Sequence, residues 1–284
     1  MANQDITSLI HSRYNTFTNT EKKVADYILQ HMKEVIYMSI TDLADACQVG
    51  ESSVFRFCKT MNLKGYQEFK IVLAHSVSLD DETPQLSNII TMQDTVKDLS
   101  SKVLSSNIQA LTETYNLLAE QDIVSAVEAM IQAKRIHFFG VGSSSITALE
   151  AKNKFMRITN KTEFAGDSHL QIMSAALMEP GDVAIAISYS GSTKDTIAVA
   201  KLAKERGATV ISITRFAKSP LRNFSDLTLL CGANEGPLQG GSLSAKLSQL
   251  YLLDLLYFEY FKQTNSASVT NKELTASAVI EKMF

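Results

Sequence analysis

Two patterns of apolar positions divide this chain. Up to about residue 75 they recur at helical spacing. Val24, Ile28 and Met32 fall at i, i+4, i+8, and Val54, Phe57, Cys58 and Met61 at i, i+3, i+4, i+7. This stretch has no proline, and its only glycines are Gly50 and Gly65. It predicts a nearly all-helical segment. One helix covers Ile6 to Tyr14 and another opens at Thr18 or Thr20 with Glu21 in its first turn. A short one runs from Ser39 or Thr41 through Cys47, and a further one covers Glu51 to Met61. From Arg135 the pattern changes to short apolar runs alternating with helical periods, which predicts a parallel α/β sheet. The strands are placed at Ile136–Gly140, Thr162–Phe164, Val183–Ser188, Thr209–Thr214 and Leu227–Leu230. Helices are expected between them near 144–159, 168–178, 193–206 and 243–262, with two more at about 105–119 and 122–133 before the sheet begins.

Between these parts the composition shifts. Asp80-Asp81-Glu82-Thr83-Pro84 is acidic and carries the only proline before Pro180. The expected organisation is an all-α domain over 1–76, a linker over 77–104, an α/β domain over 105–264 with a five-stranded parallel sheet flanked by helices, and a tail over 265–284.

A short helix, the turn Gln48-Val49-Gly50 and a second helix form the helix-turn-helix plan. On the second helix Ser52, Arg56, Lys59 and Thr60 lie opposite the apolar face, with Ser53 and Phe55 at its margins. Entering a major groove N-terminus first, such a helix brings Ser52, Ser53 and Arg56 to phosphates or base edges. Ser39, Thr41, Lys59 and Lys64 complete the expected DNA contacts, and Gly65 either holds a phosphate on its neighbouring N–H groups or ends a helix. Charge does not decide between a DNA reader and a plain bundle. Residues 1–75 hold eight Lys+Arg and eight Asp+Glu, although Arg56, Lys59, Lys64 and Lys70 against Glu68 leave a local +3 over 54–75.

Ser188, Ser190, Ser192 and Thr193 surround Gly191 on a strand-to-helix turn. Such a turn aims backbone N–H groups and the positive end of a helix dipole at one point, and its hydroxyls suit a phosphate monoester. Gly140-Val141-Gly142-Ser143-Ser144-Ser145 makes a second turn of this kind after the first strand. Its lone GxG lacks the third glycine of a dinucleotide fingerprint, so NAD is discounted. Both turns belong at the C-terminal edge of neighbouring strands, where open α/β sheets bind ligands. A third polar turn, Asn234 to Ser242, carries Glu235 and Ser242 as further ligand candidates.

Net charge is −3 over 284 residues, so any nucleic-acid contact has to be local. Cys47, Cys58 and Cys231 are too few and too scattered for a disulfide framework or a zinc site. No cofactor or metal is expected. The N-terminus lacks the plan of a signal peptide. The apolar stretch Leu247–Phe261 is interrupted by Gln249, Asp254 and Glu259 and is too short to span a bilayer, so a cytoplasmic protein without membrane contact is expected.

These residues carry a family resemblance. Gly140–Ser145 and Ile187–Thr196 resemble the phosphate-binding turns of the sugar isomerase (SIS) domain. Glu21–Ile28, Ile36–Ala44, Val54–Cys58 and Leu63–Lys70 are similar to the RpiR-type helix-turn-helix domain. The resemblance implies a transcription regulator of carbohydrate catabolism that responds to a sugar phosphate and forms a homodimer or homotetramer. Ser143, Ser144, Ser188, Ser190 and Thr193 match the ligand-binding hydroxyls of that domain. Ser192 replaces a common acidic residue and leaves its backbone N–H to face the phosphate. Gly50 stands where a serine usually caps the recognition helix, which passes the cap to Ser52. Lys246 stands where many members have arginine. The same fold hosts aldose–ketose isomerases, whose chemistry needs a general base. Glu150, His169 and Glu235 are the candidates, and no acid–base pair stands out among them.

Overall fold

The computed structural model describes residues 6–80, 90–233, 235–236 and 243–280. The chain divides into one unit of residues 1–106 and 234–242 and a second of 107–233 and 243–284.

The first unit is helical: α1 (Ile6–Arg13), α2 (Asn19–Gln30), α3 (Met32–Val35), α4 (Ile40–Ala46), α5 (Glu51–Thr60) and α6 (Tyr66–Asp80). Thr18 caps α2 and Ser39 caps α4, each in a reciprocal box with the acidic residue three positions on, Glu21 and Asp42. The helices close over Ile10, Val24, Ile28, Leu43, Val54, Phe57 and Phe69. Cys47 and Cys58 belong to this core, and burial pushes their thiols up to about 11 and about 12.

The turn between α4 and α5 is not shaped by Gly50. Gln48 takes the left-handed conformation, with φ 55°. Its N–H donates to the Asp45 carbonyl and that of Val49 to the Ala44 carbonyl, which closes a Schellman motif. Asn62, with φ 61°, ends α5 in the same way. Gly65 therefore does not terminate α5; its carbonyl accepts from Phe69 N–H at the start of α6.

α7 (Val96–Asn116) opens inside the stretch expected as linker. Thr95 and Asp98 cap each other there: Thr95 N–H donates to the carboxylate and Asp98 N–H to the Thr95 hydroxyl. The second unit then runs α8 (Glu120–Gln132), β1 (Ile136–Gly140), α9 (Ser143–Phe155), β2 (Thr162–Phe164), α10 (Ser168–Ala176), β3 (Val183–Ile187), α11 (Lys194–Glu205), β4 (Thr209–Thr214), β5 (Leu227–Leu230), α12 (Leu243–Gln263) and α13 (Asn265–Ile280).

The five strands are parallel, in the order β2-β1-β3-β4-β5. Alternate strand residues feed two cores. Ile136, Phe138, Ile185, Ile187 and Ile211 pack on α8, α9 and α12. Phe139, Ala184, Ala186 and Val210 pack on α10 and α11. A sheet covered on both faces has continuous apolar strands, and β1 and β3 are buried along their whole length. The segment expected as a tail is helix α13. Its Asn271 side chain donates to the Ile158 carbonyl and its Thr275 hydroxyl to the Arg157 carbonyl, so it covers the end of α9. Among the described residues no helix is long and apolar enough to cross a membrane.

Candidate functional site

The strand order reverses direction at β1 and β3, the switch point where a sheet of this order opens a ligand crevice. Gly140 pairs directly with Ile187, so the turn after β1 and the turn after β3 leave the sheet side by side.

Each turn is built around a glycine that no other residue can replace. At Gly140 an added Cβ would lie 2.5 Å from the Ser144 carbonyl oxygen. At Gly191, with φ +59°, it would lie 2.5 Å from Ser219 Cβ. Gly142 has φ +61° and nothing within 4 Å of its Cβ position, so the backbone there is open to an approaching group.

Both following helices begin without a side-chain cap, at Gly142 for α9 and at Thr193 for α11. α10, in the same unit, is capped by Asp167, which accepts from His169 and Leu170 N–H. The first N–H groups of α9 and α11 therefore keep their donors, and both helix dipoles converge on one edge. Uncapped helix N-termini of this kind can hold an anion without a metal.

Around it the hydroxyls are ordered. Ser188 is buried and its hydroxyl donates to Thr193 Oγ1 at 3.3 Å. Ser143, Ser144, Ser190, Ser192 and Thr193 are half-buried. Ser192 N–H turns back to Ser190 Oγ at 3.2 Å, so it braces the turn instead of pointing outward as expected. Two residues that sequence reading passed over support the turn from outside. Tyr189 donates its hydroxyl to the Ala233 carbonyl at 3.0 Å, and its own carbonyl accepts from Arg215 N–H. Ser219 is buried behind Gly191 with no hydrogen-bond partner for its hydroxyl among the described residues.

In the helical unit, α5 presents Ser52, Phe55, Arg56 and Lys59 to solvent. Lys64 is exposed after the α5 turn, but its N–H is held by the Glu68 carboxylate and not left for a phosphate. Ser53 is buried and accepts from the Arg56 guanidinium at 3.2 Å. Ser39 is buried as the cap of α4, and the Thr41 hydroxyl donates to Glu51. Thr60 donates to Glu21, which ties the end of α5 to the start of α2. Gly50 itself precedes the first residue of α5 and makes no side-chain cap, so Ser52 stays exposed instead of taking over that role.

The model of the rpiR-family helix-turn-helix domain matches residues 4–80, and that of the SIS domain matches residues 129–258. The chain is 36% identical over 247 residues to the HTH-type transcriptional regulator HexR of Pseudomonas aeruginosa, covering 87% of this chain and 86% of that one. It is 35% identical to an HTH-type transcriptional regulator of Haemophilus influenzae, over 98% of this chain and 97% of the relative. The chain belongs to the RpiR family of transcriptional regulators. Among solved structures it is similar to Vibrio vulnificus NanR complexed with ManNAc-6P, with a TM-score of 0.86 and 33% identity over 98% of this chain and 100% of that one.

In this RpiR-type chain the structure gathers Ser143, Ser144, Ser188, Ser190, Ser192 and Thr193 at one sheet edge. Glu235 is grouped with the helical unit, and Ser242 lies outside the described residues. Of the candidate bases, Glu150 lines a groove between α9, α12 and α13 with Arg157 and Asp254, and His169 is exposed in the first turn of α10.

Proposed function

We propose that this RpiR-family regulator controls genes of carbohydrate metabolism, and that a sugar phosphate bound at the β1/β3 edge sets its affinity for DNA. The observation that carries this reading is the pair of uncapped helix N-termini converging beside Ser188, Ser190 and Thr193. The likeness to NanR, whose structure is complexed with ManNAc-6P, supports a hexose or amino-sugar 6-phosphate as the class. The phosphate sits on the N–H groups of α9 and α11, with Ser143, Ser144, Ser188, Ser190, Ser192 and Thr193 around it. Glu235 and Ser242 are further candidates for ligand contact, from the sequence alone.

The site binds its ligand without turning it over, because no acid–base pair stands out among Glu150, His169 and Glu235. Ser52, Arg56, Lys59 and Lys64 contact the operator directly; Ser39, Thr41 and Ser53 act from within the fold by holding α4 and α5. The protein works in the cytoplasm as a homodimer or homotetramer, and a dimer places two readers on half-sites about one helical turn apart.

The test is fluorescence anisotropy of the intact protein on the DNA upstream of its own gene cluster, at fixed salt. A panel of hexose and amino-sugar 6-phosphates is added, N-acetylmannosamine 6-phosphate included. One member should change DNA affinity by about 5- to 150-fold. Ser188→Ala should weaken that ligand by about tenfold or more while leaving the fold and effector-free DNA binding intact. An inert panel, or an unchanged ligand affinity in Ser188→Ala, refutes the site.

A further inference from the structure

Ser52, Phe55, Arg56 and Lys59 fall at i, i+3, i+4 and i+7 along α5, and all four are exposed. Three of them are polar or cationic. The fourth is a phenylalanine, 38% exposed at the centre of the outward stripe. Sequence spacing puts Phe55 at the margin of the helix with Ser53. The structure separates the two, with Ser53 turned inward and Phe55 turned outward.

The ring is held in place. One edge rests on Gly65, where an added Cβ would lie 3.3 Å from it. The Lys59 ammonium lies 5.3 Å from its centroid. Gly65 and Lys59 therefore fix the ring before DNA arrives, which lowers the entropy lost on binding. The part of the ring left in water gains nothing from packing and stays available to a partner.

The major groove offers one apolar feature on its floor, the C5-methyl group of thymine. Ser52 and Arg56 read donors and acceptors, and neither detects that group through a hydrogen bond. We infer that Phe55 is the apolar base reader of this recognition helix, packing on a thymine C5-methyl in each operator half-site. The inference rests on the reading of α5 as the DNA-contacting helix and adds a specificity determinant to it.

The experiment replaces each operator thymine in turn with deoxyuridine, which keeps Watson–Crick pairing and removes only the methyl group. Anisotropy is measured for the full-length protein and for Phe55→Ala on an operator selected from randomised DNA. One symmetry-related thymine should respond, weakening the unsubstituted protein by about fourfold per half-site. The same replacement should leave Phe55→Ala unaffected. Phe55→Gln serves the same comparison if the alanine variant folds poorly, and it too should lose the methyl response. A thymine-to-uracil response that persists unchanged in these variants, or is absent everywhere in the unsubstituted protein, overturns the role of Phe55. Arg56→Ala separates the two levels. If it fails to weaken DNA binding, the recognition face itself is misassigned; if it weakens binding to all sequences, only the Phe55 comparison decides the inference.

Discussion

Glu21 receives three hydrogen bonds, from Thr18 N–H at 2.8 Å, from the Thr18 hydroxyl at 2.7 Å and from the Thr60 hydroxyl at 2.7 Å. Burial pushes its pKa up, but these donors and the Arg56 charge outweigh burial and leave it below the usual range. The unfolded chain therefore takes up this proton at a higher pH than the folded one. The stability Glu21 contributes is present above its unfolded pKa of about 4.3, and it disappears as pH falls through the lower folded value. Glu21→Gln should cost about 1–3 kcal/mol at pH 7 and flatten the acid limb below about pH 5. Urea unfolding of both proteins from pH 3 to 7, followed by circular dichroism because the chain has no tryptophan, checks this. An equal acid limb in both would dismiss the contribution of Glu21. At this scale the sequence was only partly readable. Thr18 with Glu21 and Ser39 with Asp42 are local pairs at fixed spacing, so they show in the sequence. The exchange of Ser53 and Phe55 is not local, because the side to which a marginal helix residue turns depends on the helix packed beneath it.

At the scale of elements, the two ends of the helix-turn-helix depend on side chains in a conformation that suits glycine. Gln48 and Asn62 both have positive φ, and such backbone costs an ordinary residue about 1 kcal/mol or more. Gln48→Gly should raise the thermal stability of the helical unit by about 1 kcal/mol, whereas Gln48→Val should lower it by at least as much. Calorimetry distinguishes these outcomes, and a destabilising glycine would show that the Gln48 side chain matters more than its backbone. The strands were legible because buried parallel strands are uninterrupted apolar runs, as in Val183–Ile187. The start of α7 was missed although Thr95-Val96-Lys97-Asp98 has capping spacing, because the acidic segment before it suggested a linker. α13 was missed because its anchors, Asn271 and Thr275, are polar side chains that reach carbonyls more than a hundred residues earlier. No apolar stripe announces contacts of that kind.

At the scale of the whole molecule, the serine turn is wired to α7. The Tyr189 hydroxyl donates to the Ala233 carbonyl, Ala233 N–H donates to the Glu113 carboxylate, and Gly232 N–H donates to the Thr114 hydroxyl at 2.8 Å. Glu113 and Thr114 belong to α7, whose residues fall on both sides of the division between the units. Tyr189→Phe removes the first of these bonds and leaves the serine hydroxyls in place. It should therefore reduce the change in DNA affinity that the effector causes by severalfold more than it reduces effector affinity. Linkage makes this testable twice, since the effect of DNA on effector binding has to fall by the same factor. Full coupling in Tyr189→Phe, read in both directions by anisotropy and calorimetry, would exclude this route.

The placement of α12 in the sheet core has a consequence in time. α12 follows all five strands in the chain, yet it supplies Leu252, Leu253 and Leu256 to the layer that joins α8, α9 and the sheet. The core of the helix-turn-helix, by contrast, draws on no described residue beyond Val77. At about 5–20 residues per second, roughly 10–40 s of synthesis separate completion of α6 from completion of α12. On each nascent chain the DNA reader can be folded while the effector layer still lacks one of its walls.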